Sequence, residues 1–215
     1  MTITQEKSEL RARILARRKE ISPKLAELKS RMICEALTRQ LKLSWLTQKD
    51  AQNSVQSNTQ ESGDIASLSV AVFAPLRYEV NITPFIETLY ELGCTVSFPS
   101  LNAHCPERPM DMRVVSYAHY KAQDAPFITD PIHAYTPQDD AFPVTDPATL
   151  DVVLVPLFAF DFDGMRLGYG GGNYDRYMPL LDSTCRTIGI AFSEQLTDAV
   201  PHDQYDIALP SIMHA

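Results

Sequence analysis

At 215 residues and 45% hydrophobic content, the chain can bury one sizeable core, since single domains commonly reach about 200 residues before their cores divide. Its longest apolar run, 152–160, contains Pro156 and falls far short of the roughly 18 residues of a membrane span, and the charged start MTITQEKSELRAR has no signal-peptide core, so no membrane association and a cytoplasmic location are expected. The formal charge of −8 is uneven: residues 1–31 hold nine Lys/Arg against four Asp/Glu and the remainder is acidic, which disfavours a nucleic-acid partner, whose phosphates an acidic body repels, and favours a compact anionic ligand.

The first helix is expected from about Thr4 to Glu20, with Leu10, Ile14 and Leu15 at helical spacing. On that helix Lys7, Arg11 and Arg18 lie within about 40° of one another, beside Leu10 and Ile14, so the cations border the docking face. Ser22-Pro23 reads as an N-cap and first helical residue. The second helix it opens has an apolar face of Leu25, Leu28, Met32, Ala36 and Leu37, expected to be core. From 47 to 67 periodicity is lost and Gln, Asn, Ser and Asp accumulate, which predicts a polar flexible insertion.

After it, Leu68–Ala74 reads as a buried strand, Thr83-Pro84 as a helix start, Gly93 as its stop and Cys94–Phe98 as a further strand, a βαβ unit. The same grammar returns in the strand Asp151–Leu157, a helix from about Asn173 to Leu181 and the strand Thr187–Phe192. Between them the proline-rich stretch 102–147 has one alternating segment, Met112–Tyr117, expected as an edge strand. The result is a single α/β domain over residues 1–215, with a mostly parallel or mixed sheet covered by helices on both faces and an N-terminal helical pair. Cys34, Cys94, Cys105 and Cys185 form no CxxC pair and the five histidines no HExxH cluster, so neither a disulfide framework nor a zinc site is expected.

The chemistry concentrates in RLGYGGGNYDR, residues 166–176. Gly168 and the run Gly170, Gly171, Gly172 let the main chain take positive φ and expose successive amides in a nest for phosphate oxygens, just before a helix. Arg166 and Arg176 bracket the nest, and Asp161, Asp163 and Asp175 offer hard oxygen ligands to Mg²⁺. The loop lacks the GK[ST] ending of a Walker A and also fails GxGxxG, because Asn173 follows Gly172.

On these residues the chain resembles the 5-formyltetrahydrofolate cyclo-ligase family. VPLFAFDFDGMRLGYGGGNYDRYM, residues 155–178, is similar to the family's VP-x-x-AFD-x-x-G-x-RLG-x-G-x-G-x-YDR pattern almost throughout. Weaker likenesses are the K-x-x-x-R helix at Lys7 and Arg11, APLRYEVNITPF around Glu79, and GIAFSEQLTDAVPHDQYDIAL, residues 189–209. Three positions depart from the pattern: Asn173 stands for an aromatic residue, Asp203 for a glutamate, and Asp130-Pro131 for Glu-Pro.

The resemblance implies ATP- and Mg²⁺-dependent conversion of 5-formyltetrahydrofolate to 5,10-methenyltetrahydrofolate with release of ADP and phosphate. It implies ATP contacts at Lys7, Arg11 and the loop Arg166, Leu167, Gly168, Tyr169, Gly170, Gly171, Gly172, Asn173 and Tyr174, with Arg176 a further phosphate candidate. Folate contacts fall on Glu79 and on Tyr169, Gly170, Gly171, Gly172 and Asn173, and Mg²⁺ ligands on Asp175 and Asp206. A monomer or small homo-oligomer is expected. The competing readings are a sugar-phosphate isomerase on a similar scaffold and a nucleic-acid binder using the basic first helix.

Overall fold

A computed structural model describes residues 2–53, 65–102, 105, 107–131 and 135–215, with the backbone alone for 44–53. Helix α1 (Ile3–Glu20) starts one residue before the expected Thr4 because Thr2 closes a capping box. Gln5 N donates to Thr2 Oγ1 and Thr2 N to Gln5 Oε1, satisfying two amides that the first turn leaves unpaired. Its buried positions are Leu10, Ile14 and Arg18. They sit four apart, one stripe of the helix.

Ser22 caps helix α2 (Pro23–Asn53), its Oγ accepting from Leu25 N at 3.3 Å. The expectation for the α2 core face needs correction: Leu37 is buried and Ala36 half-buried, but Leu25, Leu28 and Met32 are exposed. The stripe that packs is Ile33, Cys34, Leu37 and Leu41. Two apolar stripes share this helix, and the sheet's position selects between them. The helix also continues to Asn53, into the 47–67 stretch expected as a flexible insertion; residues 54–64 lie outside the described residues.

The sheet comprises β1 (Ser69–Ala71), β2 (Thr95–Leu101), β3 (Met110–Val114), β4 (Val152–Pro156), β7 (Arg186–Ala191) and β8 (Ile212–His214), in the order β3-β2-β1-β4-β7-β8. All neighbours are parallel except β2 and β3, so β3 is the edge strand anticipated at 112–117. Helix α3 (Thr83–Glu91) crosses between β1 and β2, its first amide held by Asn81 Oδ1 at 3.0 Å. In the central strands successive side chains alternate between faces. Val70, Val152 and Leu154 meet α2 and α3, whereas Ala71, Val153 and Val155 meet Tyr174, Tyr177 and Met178 on the opposite side. The latter come from α6 (Asn173–Tyr177) and the 3-10 turn that follows it. Helices α4 (Tyr117–Ala122) and α5 (Pro126–Thr129) lie along the 102–147 connection.

A hairpin of β5 (Ala159–Phe160) and β6 (Arg166–Leu167) follows β4. Helix α1 docks on this hairpin, Leu10 and Ile14 packing with Ala159, Leu167 and Val200. That arrangement carries the basic side of α1 to the glycine loop. The four cysteines are free, and burial pushes the Cys94 and Cys185 thiols up to about 11.

Candidate functional site

In an open parallel sheet, ligands bind beyond the carboxyl ends of the strands, where connections leave in opposite directions. Here that point lies between β1 and β4. A cleft with about 860 Å³ of empty space opens there, walled by Phe73 and Ala74 after β1, Pro99 and Ser100 of β2, and Pro156 ending β4. The opposite wall is the loop 168–172 with Tyr174 and Asp175.

The loop takes the shape its glycines allow: Gly170 has φ 105° and Gly172 φ 62°, values that cost a side-chain-bearing residue but not glycine. The amides of Gly170, Gly171 and Gly172 donate to no partner among the described residues. Arginines hold the loop from outside through its carbonyls. Arg11 Nε donates to Gly168 O at 2.8 Å, and Arg176 Nη2 to Gly171 O at 2.5 Å. With its carbonyls so engaged, the loop turns its free donors elsewhere, as an anion nest requires.

Beneath the loop, Arg166 is 5% exposed. Its Nη2 donates to Asp175 Oδ1 at 2.8 Å, and its Nη1 to the Ile207 carbonyl. Ile207 N donates back to the same Asp175 oxygen at 3.1 Å. Strand β6, helix α6 and the turn 203–207 are thereby joined around one guanidinium. Beside them Lys7 Nζ lies 2.5 Å from Asp206 Oδ2 and 3.4 Å from Asp203 Oδ2. Burial works against the Lys7 charge, but its bonds and proximity to Asp206 and Asp203 prevail and raise the ammonium above its ordinary value. Arg11 is held lower by burial, partly offset by Asp206.

Asp175 is thereby bonded to the amide of the residue that follows Asp206, although the two carboxylates are 31 positions apart in the chain. Asp175 Oδ2 and Asp206 Oδ1 have no hydrogen-bond partner among the described residues. No group of three or more His, Cys, Asp or Glu side chains suited to a metal occurs among those residues. Asp161, read from the sequence as a hard ligand, has another task. Its Oδ1 accepts from Asp163 N and Met165 N and its Oδ2 from Val200 N, at 2.9–3.1 Å, so it shapes the β5–β6 turn.

Glu79 enters from the other side, in the turn after β1. Leu76 N donates to Glu79 Oε2 at 2.7 Å, and the Tyr169 hydroxyl donates to Oε1. Burial pushes the Glu79 carboxyl upward, against the opposing pull of the Tyr169 and Leu76 bonds and the Arg18 charge. Tyr78, immediately before it, has φ 68°, a costly conformation for an aromatic residue. Tyr169 packs edge-on against Phe158, with centroids 4.6 Å apart. The Tyr174 hydroxyl, in the cleft wall, is buried without a partner among the described residues.

Of the residues singled out from the sequence, Glu79, Arg166, Gly168, Tyr169, Gly171, Gly172, Asn173, Tyr174 and Asp175 line the cleft, Lys7, Arg11, Arg176 and Asp206 bond to residues beside it, and Asp161 is engaged in the β5–β6 turn. Sequence reasoning placed Arg18 on the same helix face but assigned it no task. It missed the left-handed Tyr78, which has no sequence signal, and the apolar wall from β2.

A family model described as the 5-formyltetrahydrofolate cyclo-ligase family matches residues 3–215. The 5-formyltetrahydrofolate cyclo-ligase of Escherichia coli strain K12 is 32% identical over 146 residues, 67% of this chain and 76% of that protein. The Mus musculus enzyme of the same name is 25% identical over 194 residues, 88% and 90% of the two chains. Among solved structures, a 5,10-methenyltetrahydrofolate synthetase from Mycoplasma pneumoniae superposes with TM-score 0.66 at 23% identity, covering 96% of this chain and 97% of that one. One from Aquifex aeolicus gives 0.63 at 23% identity, covering 97% and 89%.

Proposed function

The chain belongs to the 5-formyltetrahydrofolate cyclo-ligase family, and from that premise we propose that it converts 5-formyltetrahydrofolate and ATP to 5,10-methenyltetrahydrofolate, ADP and phosphate in the cleft between β1 and β4. The observation that carries the assignment to this cleft is convergence. Lys7 and Arg11 of α1, the glycine loop, Asp175 and Asp206 gather on one rim, and Glu79 faces them from the other wall.

The chemistry explains why a phosphate site must adjoin a folate site. An N-formyl group is an amide, with a weakly electrophilic carbon and an oxygen that leaves poorly. Transfer of the terminal phosphoryl group to the formyl oxygen, with ADP departing, corrects both. N10 then attacks the formyl carbon, the oxygen leaves as inorganic phosphate, and N10 loses its proton to give the methenyl amidinium. A site for this sequence needs positioning and charge stabilisation rather than a covalent nucleophile.

The chain's groups divide along those lines. The free amides of Gly170, Gly171 and Gly172 and the charges of Lys7, Arg11 and Arg176 would hold the phosphates, with Leu167 and Gly168 supporting the loop and Arg166 fixing its base. Asp175 Oδ2 and Asp206 Oδ1 would hold Mg²⁺. Two carboxylate oxygens suit an ion that keeps its remaining positions for water and phosphate, and when bound it neutralises the charge on the transferring group. Glu79 would take the folate side with Tyr169 and Asn173, while the buried Tyr174 hydroxyl offers a donor to whichever ligand fills the cleft.

Lys7, Arg11 and Arg18 each donate inward, to Asp206, Gly168 O and Tyr78 O, so the basic side of α1 is turned toward the cleft rim, which favours a small ligand over a nucleic acid along α1. No helix among the described residues is long and apolar enough to cross a membrane, and we place the enzyme in the cytoplasm. Folded protein supplied with ATP, Mg²⁺ and 5-formyltetrahydrofolate is expected to develop the absorbance of the methenyl product. Absence of that signal overturns the assignment. An isomerase of sugar phosphates would show no thermal stabilisation by nucleotide.

A further inference from the structure

We infer that Arg18 is a positioning residue for the folate side of the reaction, fixing the Leu76–Glu79 turn and the ring of Tyr169 that together present Glu79 to the cleft. The inference rests on the reading of Glu79 as a folate contact. Arg18 is 2% exposed, on the α1 stripe that also carries Leu10 and Ile14. A guanidinium brought that far from water needs partners to offset its desolvation. Arg18 Nε donates to the Tyr78 carbonyl at 2.5 Å, its charge lies over the Phe158 ring at 5.2 Å, and its Nη1 has no partner among the described residues. It forms no part of the cleft wall.

Its contacts with Tyr78 and Phe158, and its charge beside the Tyr169 phenol, lead to Glu79. Tyr78 is one of two non-glycine residues with positive φ among the described residues, so its conformation persists only where the surroundings hold it. That conformation orients the Tyr78 carbonyl toward α1 and closes the turn in which Glu79 N donates to Leu76 O at 3.0 Å and Leu76 N to Glu79 Oε2 at 2.7 Å. On the second route, Phe158 beneath Arg18 packs against Tyr169, whose hydroxyl donates to Glu79 Oε1. One buried cation thus braces the carboxylate through the backbone and through the aromatic pair. The groups facing Glu79 are the Leu76 amide, the phenols of Tyr169 and Tyr174, and the Arg18 charge. The cation opposes protonation of the carboxyl.

The test is steady-state kinetics on Arg18→Met, Arg18→Lys and Glu79→Gln, with the KM for 5-formyltetrahydrofolate and the KM for ATP measured separately across pH. Arg18→Met is expected to raise the folate KM by about ten-fold or more, displacement of a supporting group being enough to misplace the carboxylate, while the ATP KM stays within about two-fold. The acid limb of the folate KM profile should also move to higher pH as the opposing charge is lost. Arg18→Lys, which keeps the charge but not the fork, should fall between parent and Arg18→Met. If Arg18→Met does not fold, Arg18→Lys answers the same question through the folate KM alone. A folded Arg18 variant whose folate and ATP KM rise together, or whose folate KM equals the parent's, overturns the inference. Glu79→Gln separates the two levels. If it leaves the folate KM unchanged, the reading of Glu79 itself fails; if it raises that KM and the Arg18 variants do not, only the positioning role fails.

Discussion

The Tyr169 hydroxyl donates to Glu79 Oε1, so that a residue of the glycine loop and a carboxylate of the opposite wall meet across the cleft. Burial raises the Glu79 carboxyl above its ordinary value, with the Tyr169 bond, the Leu76 amide and the Arg18 charge opposing. A carboxyl whose folded-state pKa lies above its unfolded value stabilises the fold fully below the unfolded value, and that contribution disappears as pH rises through the folded value. Glu79 therefore costs stability at neutral pH. Glu79→Gln should raise Tm at about pH 7.5, and this advantage should shrink toward pH 4, where the parent carboxyl is mostly protonated in both states. Thermal melts at the two pH values check this, and an advantage that is constant with pH contradicts it.

Asp206 is the meeting point of the first helix and the proposed cation site. Asp206→Asn keeps the shape and an oxygen but removes the charge facing Lys7. The Mg²⁺ concentration giving half-maximal nucleotide-dependent stabilisation should rise by about ten-fold or more, since removing one carboxylate charge weakens a hard-oxygen site. Titration of Mg²⁺ at fixed ATP in a thermal-shift assay reads it out. A midpoint like the parent's would assign Asp206 to Lys7 alone.

Arg166 lies at the foot of the loop with both terminal nitrogens engaged. Arg166→Ala leaves Asp175 a part-buried carboxylate without its cation, a loss that in comparable pairs costs about 3–5 kcal/mol. For a chain of this length that corresponds to a fall in Tm on the order of 10 °C. The expected outcome is loss of stability and of nucleotide protection together. A folded Arg166→Ala protein with unchanged Tm and weakened ATP binding would make the residue a phosphate ligand first.

Tyr174 carries a buried hydroxyl with no partner among the described residues. Deleting an unsatisfied buried donor recovers its desolvation cost, about 1 kcal/mol or more. Tyr174→Phe should match or exceed the parent's Tm while losing activity, the pattern of a group kept for a ligand rather than for the fold. Equal Tm and equal kcat/KM would remove it from the site.

Short apolar runs made the parallel strands legible, because a continuous run such as Val152 to Val155 can be buried only between two helical layers. Glycine spacing and bracketing charges located the loop for the same local reason. Three features depended on distant partners and carried no local signal. Leu25, Leu28 and Met32 repeat as regularly as the stripe that packs, and the sheet's position decides between them. Strand β8 spans three residues, too few for alternation to register. The left-handed turn at Tyr78 follows no residue preference, and one of its supports is a contact with Arg18, sixty positions earlier.

The contact between Lys7 and Asp206 also bears on how the enzyme comes into being. Their separation of 199 residues makes it one of the costliest closures in the chain, of the kind that forms late and slows folding. During synthesis Lys7 is made 199 residues before Asp206, so this acidic partner is absent while the intervening chain emerges. Lys7 then waits without that partner, and the rim proposed to bind nucleotide is completed at the end of folding rather than growing with it.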